Sequence, residues 1–332
     1  MKQSLQTSLI LTALLILAGS AFFASMIIMP GKNPAGDLPS LTADQQQSAN
    51  AMREVVETLA TEIGERHHEV PAAYQQAADY IHAAFKRNGL TPYTEIFGDK
   101  EQYRNIVAEH YGREIPDQVI VVGAHYDTVW MTPGADDNAS GVAVMLELAK
   151  KIANMSLKRS VRFVAFANEE YPFFFTRDMG SLHHARQASE RGENIQAMFS
   201  LEMLGYYSDE PESQNYPKPF KWLYPDTANF VAFVSNYKSR GLLLDSIKLF
   251  RDSGQFPAEG MAAPVMLVRD VRRSDQAAFW RYGYPALMIT DTAGFRNFGY
   301  HNVSDVPASL NYEHMARVMT GLLELLVSLA NR

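Results

Sequence analysis

The sequence predicts an α/β fold with a mostly parallel central sheet flanked by helices on both faces. Short apolar runs recur at Asn105–Glu109, Gln118–Ala124, Val161–Ala167, Ala197–Leu201, Val265–Val268 and Ala286–Thr290. Stretches with helical spacing separate them, at Ser140–Met155, Gly180–Arg191, Thr227–Ser239, Asp275–Tyr282 and Tyr312–Ala330. That alternation is the pattern of strand–helix–strand units, and runs such as VRFVAFA read as strands covered on both faces. No internal repeat or low-complexity segment interrupts it. About thirty of the 332 residues read as targeting sequence, and the remainder suits one large domain.

The first element is apolar. After Lys2 no charge appears until Lys32, and Ser8–Met29 reads SLILTALLILAGSAFFASMIIM. A bilayer core needs about 20 apolar residues, whereas a cleavable signal has an apolar stretch of about 7–15. An uncleaved anchor, a cleaved signal and a buried core helix are the three readings, and Ala18, Gly19, Ser20 and Ala21 provide the small residues a cleavage site uses. Lys2 and Lys32 give no charge bias. The default orientation, with the N-terminus inside, places the folded part outside the cytoplasm, on the periplasmic or extracellular side, or secreted if the segment is removed. Residues 1–30 are thus the expected anchor or signal. Pro30, Gly31, Pro34, Gly36 and Pro39 cannot continue a helix, so 31–41 reads as a linker and 42–332 as the folded domain.

Thr42 can cap the next helix, in which Met52, Val55, Val56, Leu59 and Ile63 share helical spacing. A second helix follows over Tyr74–Asn88, with Gly89 placed to cap its C-terminus. The strand and helix alternation begins after it.

Charge and cysteine content narrow the function. A formal charge of −7 with 20% charged residues offers no basic face for a phosphate backbone, so nucleic acid is not an expected partner. Zero cysteines exclude disulfides, thiolate ligands and cysteine nucleophiles, and any metal must be held by histidine and carboxylate.

In open α/β sheets the ligand crevice lies beyond the carboxyl ends of the strands, and here those ends are acidic. VIVVGA runs into His125-Tyr126-Asp127, whose first and third side chains emerge on one side of an extended segment. Gly134-Ala135-Asp136-Asp137-Asn138-Ala139-Ser140-Gly141 then sets two carboxylates side by side, a repulsion that a cation relieves. Asp137 or Asn138 can also cap the following helix, and both roles can hold together. VRFVAFA ends in Asn168-Glu169-Glu170, where a general base beside a metal ligand explains the paired acids. AMFSL ends in Glu202, in apolar company where an unpaired charge is costly. ALMIT leads through Asp291 to Tyr300-His301-Asn302, with Asp305 four residues past the histidine. This oxygen and nitrogen set suits zinc or a harder divalent ion. It exceeds the needs of one ion, and two ions about 3.5–4 Å apart, bridged by a carboxylate and a water, are typical of hydrolytic metal enzymes.

The segments HYD at 125–127, GADDNASG at 134–141, NEE at 168–170, SLEMLG at 200–205 and YHNVSDVP at 300–307, in that order, resemble the co-catalytic zinc peptidases of family M28. That family includes bacterial leucyl aminopeptidases, glutamate carboxypeptidase, glutaminyl cyclase and the transferrin receptor ectodomain. The resemblance implies the three-layer fold of a zinc aminopeptidase, peptide substrates and two zinc ions. It implies that Asp136 bridges the ions, that His125 and Glu202 complete one and Glu170 and His301 the other, and that Glu169 is the base. Asp127 would orient His125 from behind, Asp137 would also stand behind the ligands, and the Asp136–Asp137 peptide would be cis.

Two departures from the family pattern stand out. Glu202 occupies a position that is usually Asp in the aminopeptidases, and Ser274-Asp275-Gln276 replaces a frequent Ser-Asp-His. Ser274 therefore reads as a helix cap and Asp275 as a neighbour of the site. The expected activity is that of a zinc exopeptidase, an aminopeptidase by family weight. Single-zinc glutaminyl cyclisation and a non-catalytic receptor-like ectodomain are the alternatives, and the GADDNASG loop looks more like the peptidases. His67, His68, His82, His110, His183, His184 and His314 read as structural. Phe173, Phe174 and Phe175 read equally as pocket wall or core, as do Tyr206 and Tyr207.

Overall fold

The computed structural model describes residues 2–218 and 220–332. Met1, the first residue of the expected N-terminal segment, lies outside the described residues. Eight strands form one mixed sheet: β1 (Tyr93–Phe97), β2 (Tyr103–His110), β3 (Ile115–His125), β4 (Arg159–Phe166), β5 (Asn194–Glu202), β6 (Val231–Asn236), β7 (Ala258–Ala263) and β8 (Ala286–Thr290), in the order β1-β2-β4-β3-β5-β8-β6-β7. The central β4, β3, β5 and β8 run parallel, and β2 and β6 join that block antiparallel. The helices are α1 (Lys2–Ile27), α2 (Ala43–Glu57), α3 (Pro71–Arg87), α4 (Gly141–Ile152), α5 (Gly180–Glu190), α6 (Arg240–Asp252), α7 (Gln276–Arg281) and α8 (Tyr312–Ala330).

Alternation along β3 shows how the layers are built. Ile120, Val122 and Ala124 pack in the core shared with α2, α3, α4, α6 and α8, while Val119 and Val121 pack with α5 and α7 on the other face. Both faces are dry, which is why the strand sequences lack polar alternation. Each such aliphatic side chain withdrawn from water contributes about 1.5–3 kcal/mol. The parallel register then brings strand ends level: His125 pairs with Phe166, and Glu202 with Thr290.

The helix starts follow local chemistry. Thr42 accepts from the Gln45 N–H at 3.2 Å while the Gln45 side chain accepts from the Thr42 N–H at 3.0 Å, a reciprocal cap. Gly89 closes α3 at φ 87°, the left-handed region that glycine enters freely.

Two expected elements are corrected. The run expected to be a helix at 227–239 instead holds strand β6 at its centre, because a short apolar stretch serves either state and pairing with β7 and β8 decides it. Val265–Val268 is a turn rather than a strand, and the neighbouring strand is AEGMAA, whose small residues carry too little apolar signal. The edge strand β1 and helix α6 were not foreseen.

Helix α1 is apolar over Gln6–Ile27 and long enough to cross a membrane, as a signal or a single anchor would be. The segment that follows it is bound to the domain surface. Asn33 accepts from the Ala258 N–H at 2.9 Å and donates to Glu259 at 2.9 Å, and Arg251 donates to the Pro30 carbonyl at 3.1 Å. Arg317 donates to the Pro39 carbonyl.

Strand β1 is tied to α5 by a nearly buried pair, with both Glu95 oxygens 2.9 Å from His184 Nδ1. Burial alone would raise the Glu95 pKa, but His184 beside it and the donor Asn105 hold it down at about 2. A depressed carboxylate contributes stability that is complete above its unfolded pKa of 4.5 and is lost as pH falls toward 2. Glu95→Gln is therefore expected to lower stability by about 1–3 kcal/mol at pH 5. The deficit should shrink between pH 4.5 and 2, as read from thermal melts of both proteins across that range.

Candidate metal centre

Strand ends and the loops that follow them bring His125, Asp137, Glu169, Glu170, Glu202 and His301 to one place. His125, the last residue of β3, is fully buried, with Nε2 at 3.3 Å from Asp137 Oδ1 and 3.4 Å from Glu202 Oε2. His301 Nε2 lies 3.2 Å from Asp137 Oδ2 and 3.3 Å from Glu170 Oε1. Asp137 thus stands between the two imidazoles, with one oxygen toward each. Donor atoms of His125, Asp137 and Glu202 lie within 4.8 Å of one another, and so do those of Asp137, Glu170 and His301. A third such trio joins His125 to Glu169 and Glu170.

The chain holds these groups by unusual local means. Gly134 enters the loop at φ 62°, and a Cβ there would sit 2.4 Å from the Asp137 carbonyl, so only glycine lets the loop turn toward the site. Asn168, Met203 and His301 all adopt left-handed φ, at 59°, 48° and 56°. Each adjoins or is a site residue, and such positions persist where their surroundings over-determine them. Asn168 is bound through both ends of its side chain, accepting from the Tyr74 hydroxyl at 2.7 Å and donating to the Asp178 carbonyl at 2.9 Å.

Asp127 sits behind His125, 3.4 Å from its Nδ1, and its two oxygens accept the Glu169 and Glu170 N–H groups at 3.1 Å each. One carboxylate therefore fixes both the imidazole and the NEE turn. Asp305 does the same for the DD loop, accepting from the Asp136 N–H at 2.7 Å and the Asp137 N–H at 3.0 Å. Arg66, fully buried, donates to the carbonyls of Tyr126, Pro133 and Gly134 at 2.6–2.7 Å and pins the two loops together.

The expectation for the two neighbouring aspartates is reversed. Asp136 points away from the cluster, accepting from the Gly205 N–H at 2.8 Å and from Asn297 at 2.7 Å. It lies beside Asp291, and burial together with that second carboxyl raises its pKa well above the usual range. Asp137 takes the central position, and the cis peptide is Asp137–Asn138, one bond later than expected. In this loop the two side chains diverge, Asp136 toward Gly205 and Asn297 and Asp137 toward the imidazoles, and two adjacent acids in sequence carry no mark of which turns inward.

Ser274 is also corrected. It does not cap α7 but donates to Glu202 Oε2 at 2.5 Å, with Ser200 Oγ 3.0 Å away. Asp275 is buried near His125 and Glu202, and burial raises its pKa to about 7. Phe173 packs against the core and Tyr103, and Tyr207 against Phe256 and His314. Arg66, Asn297 and the Ser274 contact carry no mark in the sequence.

The electrostatics are those of an acidic cluster. Burial raises Glu170 to about 8, helped by Asp137, and raises Glu169 well above the carboxylate range even though His125 opposes it. Burial would also raise Asp137, but the flanking imidazoles hold it below its ordinary value. Burial would lower both histidines. Glu202, with Asp127 and Asp137, instead raises His125 well above its usual value, and Asp137 with Glu170 raises His301 to about 10.

The donor set fits zinc. Two imidazoles and several carboxylates, with no thiolate, match its nitrogen and oxygen chemistry. Their mutual spacings of 3.2–3.4 Å exceed the usual 2.7–2.9 Å of charge-assisted hydrogen bonds, as donors converging on a shared point would be spaced. His125 Nε2 and Asp137 Oδ1 are buried with no hydrogen-bond partner. Beside the cluster lies a cavity of about 550 Å³, whose wall includes Glu202 and Tyr300 together with Phe220, Tyr224, Phe230 and Val268.

Comparison with known proteins bears on the family and the fold. Residues 105–326 match the peptidase family M28. The uncharacterised protein YfbL of Escherichia coli is 38% identical over 263 residues, which are 76% of this chain and 79% of that protein. The aminopeptidase YwaD of Bacillus subtilis is 38% identical over 91 residues, 27% of this chain and 19% of that one. Among solved structures, the LapA aminopeptidase of Legionella pneumophila superposes with a TM-score of 0.70 over 90% of this chain and 78% of that one, at 19% identity. A glutaminyl cyclase from Bacteroides thetaiotaomicron does so at 0.62 over 87% and 98%, at 16% identity. At such identities the likeness is one of fold.

Divalent metal held by these donors is expected to depend on Asp137 far more than on Asp136. Asp137→Asn is expected to weaken zinc binding by more than about 100-fold, and Asp136→Asn by no more than the roughly 10–100-fold typical of a residue behind the ligands. Competition against a chromophoric chelator measures both.

Proposed function

The chain belongs to peptidase family M28, and from that premise we propose that it is a zinc-dependent exopeptidase, an aminopeptidase, carrying two zinc ions. The observation that carries the reading is Asp137 placed between His125 and His301, with Glu202 completing one donor trio and Glu170 the other. A shared central carboxylate supports two ions over the single zinc of a cyclase. Retention of both trios argues against a non-catalytic ectodomain.

In this reading His125, Asp137 and Glu202 would hold one zinc and Asp137, Glu170 and His301 the other. When bound, zinc polarises the scissile carbonyl and lowers the pKa of water. Glu169, within the same donor cluster, would accept a proton from the attacking water and return it to the leaving amine without a covalent intermediate. Asp127 keeps Glu169 in place through its backbone N–H and orients His125 from the other side. Burial predisposes the Glu169 carboxyl to hold a proton, and nearby positive charge brings it back toward the working range.

Charge supports the aminopeptidase reading. Among the described residues lining the cavity, the cation is Arg273, and it is engaged by Asp270 at 2.7 Å. A carboxypeptidase would need a free cation for the substrate carboxylate, whereas an acidic site attracts a protonated amino terminus. The aromatic and aliphatic wall fits an apolar first side chain.

Glu169→Gln should retain zinc and lose about 10²–10⁴-fold in kcat. Zinc content and single-turnover rates measured on the same preparation test this, and full activity in a zinc-loaded variant would refute the base. A peptide library in free and N-acetylated forms tests the exopeptidase direction. Faster release from the acetylated members would overturn the aminopeptidase reading.

A further inference from the structure

The cavity and helix α1 share a strand. Gly260 and Met261 of β7 line the cavity. Met29 lies against Gly260, and Met261 packs with Met26 and Ile27. The last turns of α1 are fastened to the domain: Phe22 meets the Tyr237 ring at 5.2 Å, Ser25 Oγ is 2.9 Å from the Tyr237 hydroxyl, and the Ser25 carbonyl accepts from Arg240 at 2.6 Å. The apolar span Gln6–Ile27 therefore ends on the domain surface rather than on a loose tether. At 1.5 Å per residue, Phe22 lies about 7–8 Å along the helix axis from Ile27. A bilayer crossed by this span brings Tyr237 and its surroundings to the headgroup layer.

Two segments border the cavity at this edge, and each has an inner and an outer face. In 220–224, Phe220 and Tyr224 line the cavity, while Trp222 is 68% exposed. In 264–273, Val268 and Val271 line the cavity, while Met266 is 93% and Leu267 67% exposed. Tyr224 donates to the Gly260 carbonyl at 2.8 Å, and Val265 and Val268 pack with Met26, so both segments adjoin the root of α1. Lone exposed apolar residues need no explanation, but these lie beside an apolar span and among cations. The two segments contain Lys221, Arg269, Arg272 and Arg273 against the single acid Asp270, in a chain of net charge −7. Aromatic and aliphatic side chains with neighbouring Lys and Arg are the composition that enters an anionic leaflet. Arg273 and Asp270 line the cavity and are also exposed, so the cavity opens beside this edge.

We propose that the edge formed by residues 220–224 and 264–273 rests in the headgroup layer of an anionic phospholipid leaflet, so that the cavity receives peptides held at the membrane surface. The docking rests on α1 being retained as an anchor, and the substrate on the peptidase reading given above.

The absence of native cysteine allows a clean test on the full chain. Met266→Cys and, as a distant control, Tyr111→Cys are labelled with an environment-sensitive fluorophore. Each is reconstituted in phosphatidylcholine vesicles with and without phosphatidylglycerol. The expected result is a blue-shifted label at 266, quenched by brominated lipid and more strongly with phosphatidylglycerol, while the label at 111 remains aqueous. Equal aqueous exposure at both positions overturns the docking, and so does a chain that fails to float with the vesicles. These readouts do not depend on hydrolysis, so loss of the peptidase reading is seen separately, as inactivity toward all peptides in detergent. Arg269→Glu with Arg272→Glu should keep the rate on soluble peptides and lose about tenfold or more on peptides anchored by an acyl chain in anionic vesicles. An unchanged rate on anchored peptides overturns delivery from the membrane.

Discussion

The structure depends on a surplus of buried negative charge. Asp127, Asp136, Asp137, Glu169, Glu170, Glu202, Asp275, Asp291 and Asp305 are all buried in one region. Arg66 and Arg296 are the guanidinium groups buried near them, and both direct their hydrogen bonds mainly to backbone carbonyls. Each uncompensated buried carboxylate costs several kcal/mol. Part of the surplus is absorbed by backbone donors: Asp127 and Asp305 each take two N–H groups, and Asp291 takes those of Tyr206 and Ala293. Asp137, Glu169, Glu170 and Glu202 have no comparable compensation. Their cationic neighbours are imidazoles whose own pKa values are driven up, so divalent metal is the economical solution to the charge balance.

That constraint explains why the loops are so firmly held. A donor set of this charge would spring apart on flexible segments, and each segment is fastened by something that does not itself face the cluster. Asp305 holds the backbone of the DD loop, Asp127 holds the NEE turn, and Arg66 links the loop before Asp136 to the strand end beside His125. The parallel register of β3, β4, β5 and β8 supplies the first approximation, and these contacts supply the rest.

How much of this was legible in the sequence follows the same division. The central strands were legible because burial on both faces makes them continuously apolar, and α8 was legible from Tyr312 to Ala330 because its periodicity is long. The peripheral β6 and β7 were not, since six-residue segments of mixed or small residues depend on their neighbours for their state. Within the site, strand-end position marked His125, Glu169, Glu170 and Glu202 as residues that would be brought together. Asp136 and Asp137 could not be told apart, because their directions are set by the loop's backbone and by Asp305, almost 170 residues away in sequence. Contacts of that range leave no local trace.

Glu202 and Ser274 show the two kinds of information meeting. The sequence showed a carboxylate one methylene longer than the family's usual aspartate, and a serine read as a cap. In the structure they are one device. A longer side chain has an extra torsion to fix, and an unfixed ligand places its oxygen imprecisely. Ser274 donates to Glu202 Oε2 and is itself held against Ser200, two residues before Glu202 on the same face of β5. The hydroxyl contact therefore closes a short loop from Glu202 through Ser274 back to its own strand, restoring to glutamate the definition that a shorter side chain would have by length alone.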